Sequence, residues 1–518
     1  MGRGYDGRSR SLATVMTGLA VAESRKAPIR RGAAWLAGMC LAASTLAAIA
    51  VALVTVVHID DRYGVDHASG ARIALARYAD QGVLYPPLVG EDTFGGTRFM
   101  PLPVLLHAAV SRLTGEYLIS GKLLAVATML AVCIVMFAVL RRSACPVPIA
   151  AGLVGVVLTT QTGLLAVTGL RGDSLPLLLQ LLAIAVAANS GSRRATWVSA
   201  ALAALAVTAK LHAVWAPVAI VVWLWTSDRQ RLGHFVAAYV GFSAVLLGTL
   251  TAVTDGRLLE NVFGLSAAGV NGPAALVTSP YRLLHLLVSE APGTWLLLPF
   301  ALALVGFALR RRSADPWQWA LVAAFLVLLV VLTDIGTGGN QLLDVAVLSG
   351  IVVGVAAGHA PPELRSVRLW RTALSIVIVW TLASGMAVAV GPAVRDAVGT
   401  LRDPSRYHAE PLAGVADETT HLLSEDPYVP VSLDQDPVVL DPFMLLRIGR
   451  DHPAAVRALV DRIEDQDFEL IVLVQPLDDS TWWADYHFGT RVIAAVERSY
   501  VMSERIQGYD IYRPRPED

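Results

Sequence analysis

The chain has 518 residues, 55% of them hydrophobic and 16% charged, with a mean hydropathy of +0.56. That is far more apolar than a soluble domain of this length needs for its core, so the composition excludes a soluble enzyme and reads as an integral membrane protein. The formal net charge of −1 hides a split: residues 401–518 hold 23 Asp and Glu against 11 Arg and no Lys, a balance that excludes nucleic-acid binding.

The first 32 residues are basic, and 33–57 carry no charge at all. Helices of about 17 to 25 apolar residues cross a hydrocarbon core of roughly 30 Å. They are expected at 33–57, 118–140, 147–168, 174–188, 196–209, 211–226, 235–254, 294–309, 317–333, 342–358 and 372–390, eleven in all, with 196–226 also readable as one bent segment. The 33–57 run is too long for the apolar part of a cleaved signal and reads as an anchor. Arginines gather in alternate connections, at 141–142, 193–194, 229–231, 310–312 and 365–371. The positive-inside bias therefore puts the N-terminus in the cytoplasm and the chain beyond 391 outside it. The 101–115 stretch, with His107 and Arg112, is too short to cross and reads as an interfacial helix.

The expected fold is thus an α-helical polytopic membrane protein, with a transmembrane domain over 33–391 and a small acidic extracytoplasmic α/β domain over 392–518. In that domain 428–434, 468–475 and 509–514 read as strands, and 452–465 and 490–500 as helices. The three cysteines lie in or near membrane segments and imply no disulfide scaffold.

Function is expected where the outer loops 58–117, 168–174, 255–293 and 333–341 converge, because irregular polar backbone at a membrane surface must line a cavity or be covered. No phosphate loop, dinucleotide fingerprint, zinc-protease motif or nucleophile elbow occurs. The first loop opens "HIDDRYGVDH", placing Asp60, Asp61 and Asp66 within seven residues. Each suits a helix cap, but together they repel unless a cation or shared proton offsets the charge. A carboxylate there can take a proton from an acceptor hydroxyl. Asp173 in "LRGDS", beside Arg171, is a second candidate and equally a helix cap. Lys210, one of only three lysines, interrupts an apolar run and is followed by His212. It reads either as snorkelling to the interface or as a cation for a lipid phosphate. Asn340 closes a Gly-rich loop able to cradle a phosphate or sugar, and Tyr85 in "VLYPP" is a further substrate-binding candidate. The histidines lack metal-ligand spacing, although His58 and His67 with the three aspartates leave a divalent ion open and no other cofactor is implied.

In order along the chain, the acidic cluster, "ARIALARYADQGVLYPP", "RFMPLPVLLHAAVSRLTGEYLISGKLLAV", "LRGDSLPLLLQLLAIAVA", "LAALAVTAKLHAVWAPVAIVVWLW" and "GTGGNQLLDVAVLSGIVVG" resemble polytopic C-type (GT-C) glycosyltransferases, the group holding protein mannosyltransferases and aminoarabinose transferases. The resemblance covers most of 33–360. It implies sugar transfer from a polyprenyl-phosphate donor to a cell-envelope acceptor at the outer face of the cytoplasmic membrane. It places the first-loop base or metal ligand on Asp60, Asp61 or Asp66, a second acidic role on Asp173, and the lipid phosphate near Lys210. The family's usual first-loop Asp-Glu is replaced here by Asp60-Asp61 and Asp66-His67, which leaves the catalytic carboxylate open. Rival readings are a transporter or flippase for a lipid-linked saccharide and a noncatalytic envelope scaffold.

Overall fold

The computed structural model describes residues 35–266, 273–289, 294–334, 336–359 and 365–516, so the basic segment 1–32 and most of the "LSAAGVNGP" run lie outside the described residues. Among the described residues five helices are long and apolar enough to cross a membrane: Trp35–Val57, Tyr117–Arg142, Arg229–Val253, Gly339–His359 and Leu369–Arg402. Four shorter apolar helices, Ser174–Asn189, Trp215–Ser227, Leu296–Arg310 and Pro316–Val331, pack among them. The chain is a multi-pass membrane protein, but length and composition alone do not yield the eleven crossings expected.

Four of the expected crossings, 174–188, 211–226, 294–309 and 317–333, fall on those shorter helices. The expected 147–168 span is two helices, Val147–Leu158 and Gln161–Thr168, bent by 73°. At the bend the hydroxyls of Thr159 and Thr160 bond back to the carbonyls of Val156 and Val157, and Thr160 Oγ1 accepts from Gly163 N–H, so local hydrogen bonds replace the helical ladder. The 196–226 stretch is likewise two helices, because Arg193–Ala209 ends where Lys210 turns extended (φ −158°, ψ 125°). The third outer loop was expected to be irregular, yet Pro273–Ser289 is helical. Pro101–Thr114 is a helix of 14 residues, about 21 Å long and too short to cross.

The Leu342–His359 helix is the axis of the bundle, flanked by Thr294–Arg310, Pro316–Val331 and Val147–Leu158. Its apolar stretch is 78% buried, whereas that of Arg229–Val253 is 0% buried, so the latter lies at the rim, packed along one side on Arg193–Ala209. The bundle has two chemically distinct ends. At one, Gly358 packs so closely on the Ser143–Cys145 backbone that any Cβ would collide, Arg371 donates to Ala357 O, and Arg231 donates to Ala187 O and Ser190 O. The other end gathers the aspartates described below.

The C-terminal part builds a four-stranded sheet in the order β1 (Leu422–Ser424), β2 (Leu470–Leu473), β4 (Tyr509–Pro514), β3 (Tyr500–Ile506). β1 and β2 are parallel and the other pairings antiparallel. Helices Pro453–Glu464 and Thr490–Ser499 pack on each other over one face. The β3–β4 turn has Gln507 and Gly508 both left-handed (φ 49° and 89°), the backbone a tight hairpin needs. The expected strand at 428–434 is a helix instead, Tyr428–Ser432. Asp426 Oδ1 accepts the Tyr428 amide and starts the turn, and Pro430 falls in the first turn, where its missing N–H costs nothing.

This unit is clamped to the first loop. The helix His67–Asp80 meets it so closely that a Cβ on Gly70 would collide with the Asp426 carboxylate. Phe94 bridges Val439 in parallel, and Arg62 donates to Gln507 while its guanidinium lies 4.7 Å from the Tyr509 ring centroid.

Candidate active site at the junction of three loops

Asp61 and Asp66 take different tasks. Asp61 is buried, with Oδ2 accepting from His58 Nδ1 at 2.5 Å and Oδ1 accepting from the Tyr63 amide at 2.8 Å. Lys122 Nζ lies 3.5 Å from Asp61 Oδ1 and donates to the carbonyls of His58, Asp61 and Tyr63. Asp66 caps the helix His67–Asp80 through Ser69 N–H (2.9 Å) and Ser69 Oγ (2.8 Å), and its Oδ2 pairs with Arg171 at 2.5 Å. Its side chain keeps 29% of its surface exposed, against 10% for Asp61 and 8% for Asp173. Asp66 is therefore the member of these pairs that a substrate can reach. Burial disfavours its charge, but Arg171, His67 and the Ser69 hydrogen bonds outweigh that and hold its carboxyl down at about 2. Asp60 is exposed.

The second loop and the Gly-rich loop meet at Asp173. Its Oδ1 accepts from Lys210 Nζ at 2.5 Å and its Oδ2 from Asn340 Nδ2 at 2.9 Å. Against its burial, Lys210 and Arg72 keep the carboxyl below its ordinary value. Lys210 Nζ also donates to Gln341 Oε1 at 2.9 Å, and His212 Nε2 lies 2.8 Å from the same oxygen. Since Gln341 Oε1 is the acceptor, His212 carries its proton on Nε2; burial, then Lys210, push its pKa down to about 3, so the ring is neutral. Trp215 Nε1 donates to Asp344 Oδ2 at 2.9 Å on the next helix in. The structure thus brings Asp66 to Arg171, and Asp173 to Lys210, Asn340 and His212 through Gln341. Tyr85 stands apart in an apolar cluster with Met100, Leu258 and Val262, its hydroxyl donating to Phe99 O at 2.8 Å.

Arg72, unremarked in the sequence, is the cation between the two acidic pairs. Burial lowers its pKa to about 10, and it stays charged at neutral pH beside Asp173 and Asp66. Among the described residues it pairs with no carboxylate within 4 Å and its Nε has no hydrogen-bond partner; the guanidinium stacks 4.4 Å from the Phe99 centroid. Gly172 is left-handed (φ 66°), and a Cβ there would collide with Arg72 Nη1, so glycine makes room for the guanidinium. Arg72 borders a small open cleft whose walls include Val104, Leu124, Leu170 and Leu175. The C-terminal unit reaches the rim through His487, whose ring meets His67 edge-on at 4.3 Å and whose Nδ1 donates to buried Glu425 at 2.6 Å.

The divalent ion left open by the sequence does not fit these residues. Asp61 is occupied by His58 and Lys122, Asp66 by Arg171, and among the described residues no three His, Cys, Asp or Glu side chains converge as a metal site.

Compared with solved structures, the chain aligns with ArnT from Cupriavidus metallidurans bound to undecaprenyl phosphate at a TM-score of 0.60, with 12% identity over 90% of this chain and 96% of that one. For ArnT in the apo state the score is 0.56, with 14% identity and the same coverage. The Archaeoglobus fulgidus oligosaccharyltransferase in the apo form scores 0.52, with 10% identity over 88% of this chain and 72% of that one. The chain has the GT-C fold. No protein-family model matches it, and no curated protein does. In this GT-C chain the first and second loops, the Lys210 break and the Gly-rich loop meet at one end of the bundle.

Proposed function

We propose that this chain is a membrane glycosyltransferase that moves a sugar from a polyprenyl-phosphate carrier onto a cell-envelope acceptor at the outer face of the cytoplasmic membrane. The observation that carries the reading is Arg72, a half-buried cation at the head of an apolar cleft and beside two carboxylate pairs. A lipid phosphate needs such a place, with its chain along the apolar wall and its charge on a guanidinium. The ArnT of like fold was solved with undecaprenyl phosphate, which supports this class of carrier.

In the reaction the acceptor hydroxyl oxygen bonds to the anomeric carbon as that carbon's bond to the phosphate oxygen breaks. The departing lipid phosphate gains negative charge, which Arg72 stabilises with Lys210 nearby. The hydroxyl proton passes to Asp66. A carboxylate held near 2 is a weak base, so the proton moves late, once the attacking oxygen has become acidic. Arg171 keeps Asp66 ionised and aimed, while Asp173 holds Lys210 and Asn340 in place at the edge of the site.

The bent pair Val147–Leu158 and Gln161–Thr168 favours a transporter, since broken helices line many transport sites. Reconstituted vesicles separate the two readings. With radiolabelled undecaprenyl-phosphate sugars and envelope acceptor, the wild type is expected to transfer label, and Asp66→Asn to lose roughly 10²- to 10⁴-fold of the rate. Lipid-carrier movement without transfer supports the transporter. Undiminished transfer in Asp61→Asn, Asp66→Asn and Asp173→Asn alike, at normal membrane levels, would sink the site as assigned.

A further inference from the structure

The turn at 58–63 is folded around one side chain. Lys122 lies near the start of the Tyr117–Arg142 helix and is 1% exposed. Its ammonium donates to the backbone oxygens of His58, Asp61 and Tyr63, the last at 3.1 Å, with Asp61 Oδ1 at 3.5 Å. Three carbonyls and a carboxylate turned toward one point repel each other unless a cation sits among them. All-oxygen cages of this kind are what proteins ordinarily build for hard metal ions. Here the cation belongs to the chain.

The choice of residue fits the cage. The chain has three lysines among 41 basic residues, so arginine is its general cation. Yet both lysines among the described residues are paired with site aspartates, Lys122 with Asp61 and Lys210 with Asp173. An ammonium is a compact point charge with donors in several directions, which suits oxygens that converge on one point from several sides.

The cage also sets what lies beyond it. Asp61 ties the turn to His58 and to the Tyr63 amide. Gly64 (φ 76°) then abuts Thr168, whose carbonyl and hydroxyl would be 3.1 Å from a Cβ there. Two residues on, Asp66 meets Arg171 from the second loop. The register between the first and second loops is therefore fixed at Lys122.

We propose that Lys122 is the resident cation of the acidic loop and a positioning residue for transfer, filling an oxygen cage that would otherwise call for a bound metal ion and so setting where Asp66 meets Arg171. The activity readout rests on the glycosyltransferase reading above; the cage does not.

The test is chemical rescue in the full-length protein in nanodiscs, followed by hydrogen–deuterium exchange over 58–66 and by the vesicle transfer assay. Lys122→Ala is expected to exchange faster in that segment, to lose about 100-fold in transfer rate, as displacements near 1 Å do, and to bind undecaprenyl phosphate almost as the wild type does. Ethylammonium, which replaces the missing charge in the vacated space, should reverse both defects. Lys122→Met, which fills the space without charge, should not respond. EDTA should leave wild-type exchange over 58–66 unchanged. Lys122→Ala with wild-type exchange and transfer overturns the proposal, as does equal rescue of Lys122→Met or protection lost to EDTA. If Lys122→Ala is recovered unfolded, Lys122→Gln takes its place, and its wild-type behaviour would show that the charge is not needed. Controls in parallel separate the readings: no transfer by the wild type sinks the function, normal transfer by Asp66→Asn sinks Asp66 as the base, and in either case the exchange result still decides the cage.

Discussion

Asp66, the base proposed above, also has a structural task. One oxygen is committed to Ser69 at the helix start, and the other faces Arg171 with part of its surface open. Arg72 has the complementary position, charged but without a carboxylate partner among the described residues. Replacing it with Gln should weaken undecaprenyl phosphate binding roughly 10- to 100-fold, the worth of one charge-assisted hydrogen bond, as titration of nanodiscs would show. The histidines set the acid limit. His67 is pushed down to about 4 by burial and then by His487, and His107 to about 4 chiefly by burial. A depressed histidine pKa means that the unfolded chain takes up protons first. Stability is therefore complete above about 6.5 and falls as pH drops toward 4, by about 3 kcal/mol for His67. Thermal midpoints between pH 7 and 4 should fall less steeply in His67→Gln; an unchanged slope would show that this ring is not responsible. Asp66, Asp173, Lys210, His212 and Asn340 were legible because polar residues are rare beside apolar runs. Lys122 and Arg72 were not, since the groups that give them meaning lie some 60 to 100 residues away in the chain.

At the scale of elements, glycines and threonines decide how the loops approach. Gly172 combines a left-handed backbone with contact against Arg72. Gly172→Ala should cost about 1 to 2 kcal/mol of local strain and displace the guanidinium. A weaker affinity for undecaprenyl phosphate with little change in expression is the expected result; unaltered affinity would mean that Arg72 does not face the ligand. Regular elements with strong periodicity were readable: 453–464, 490–499, 470–473 and 509–514 lie within or at the expected segments. β3 was not, because it is a largely exposed edge strand without alternating burial. Tyr428–Ser432 was misread because a Val-rich run favours strand until the Asp426 turn and Pro430 are given weight. The 73° bend was hidden for a related reason: Thr159 and Thr160 are apolar enough to pass in a hydropathy window, yet carry hydroxyls that compete for the backbone.

In the whole molecule the C-terminal unit is bound to the first loop at several separate places, through Gly70 against Asp426, Phe94 on Val439, and Arg62 on Gln507 and Tyr509. Gly70→Leu should force the two surfaces apart. Loss of transfer with faster hydrogen exchange in both 67–80 and 422–432 is expected, while exchange in the Leu342–His359 helix stays as in the wild type; unchanged exchange at the junction would rule out the clamp. The polypeptide is made N-terminus first. Asp61 and Asp66 therefore leave the ribosome some 360 residues before the strands and helices of 422–514 that pack against their loop. While the membrane bundle is being made, the acidic loop waits without its clamp, so a chain stopped short of residue 422 would hold the aspartates of the proposed site but not the surface that covers them.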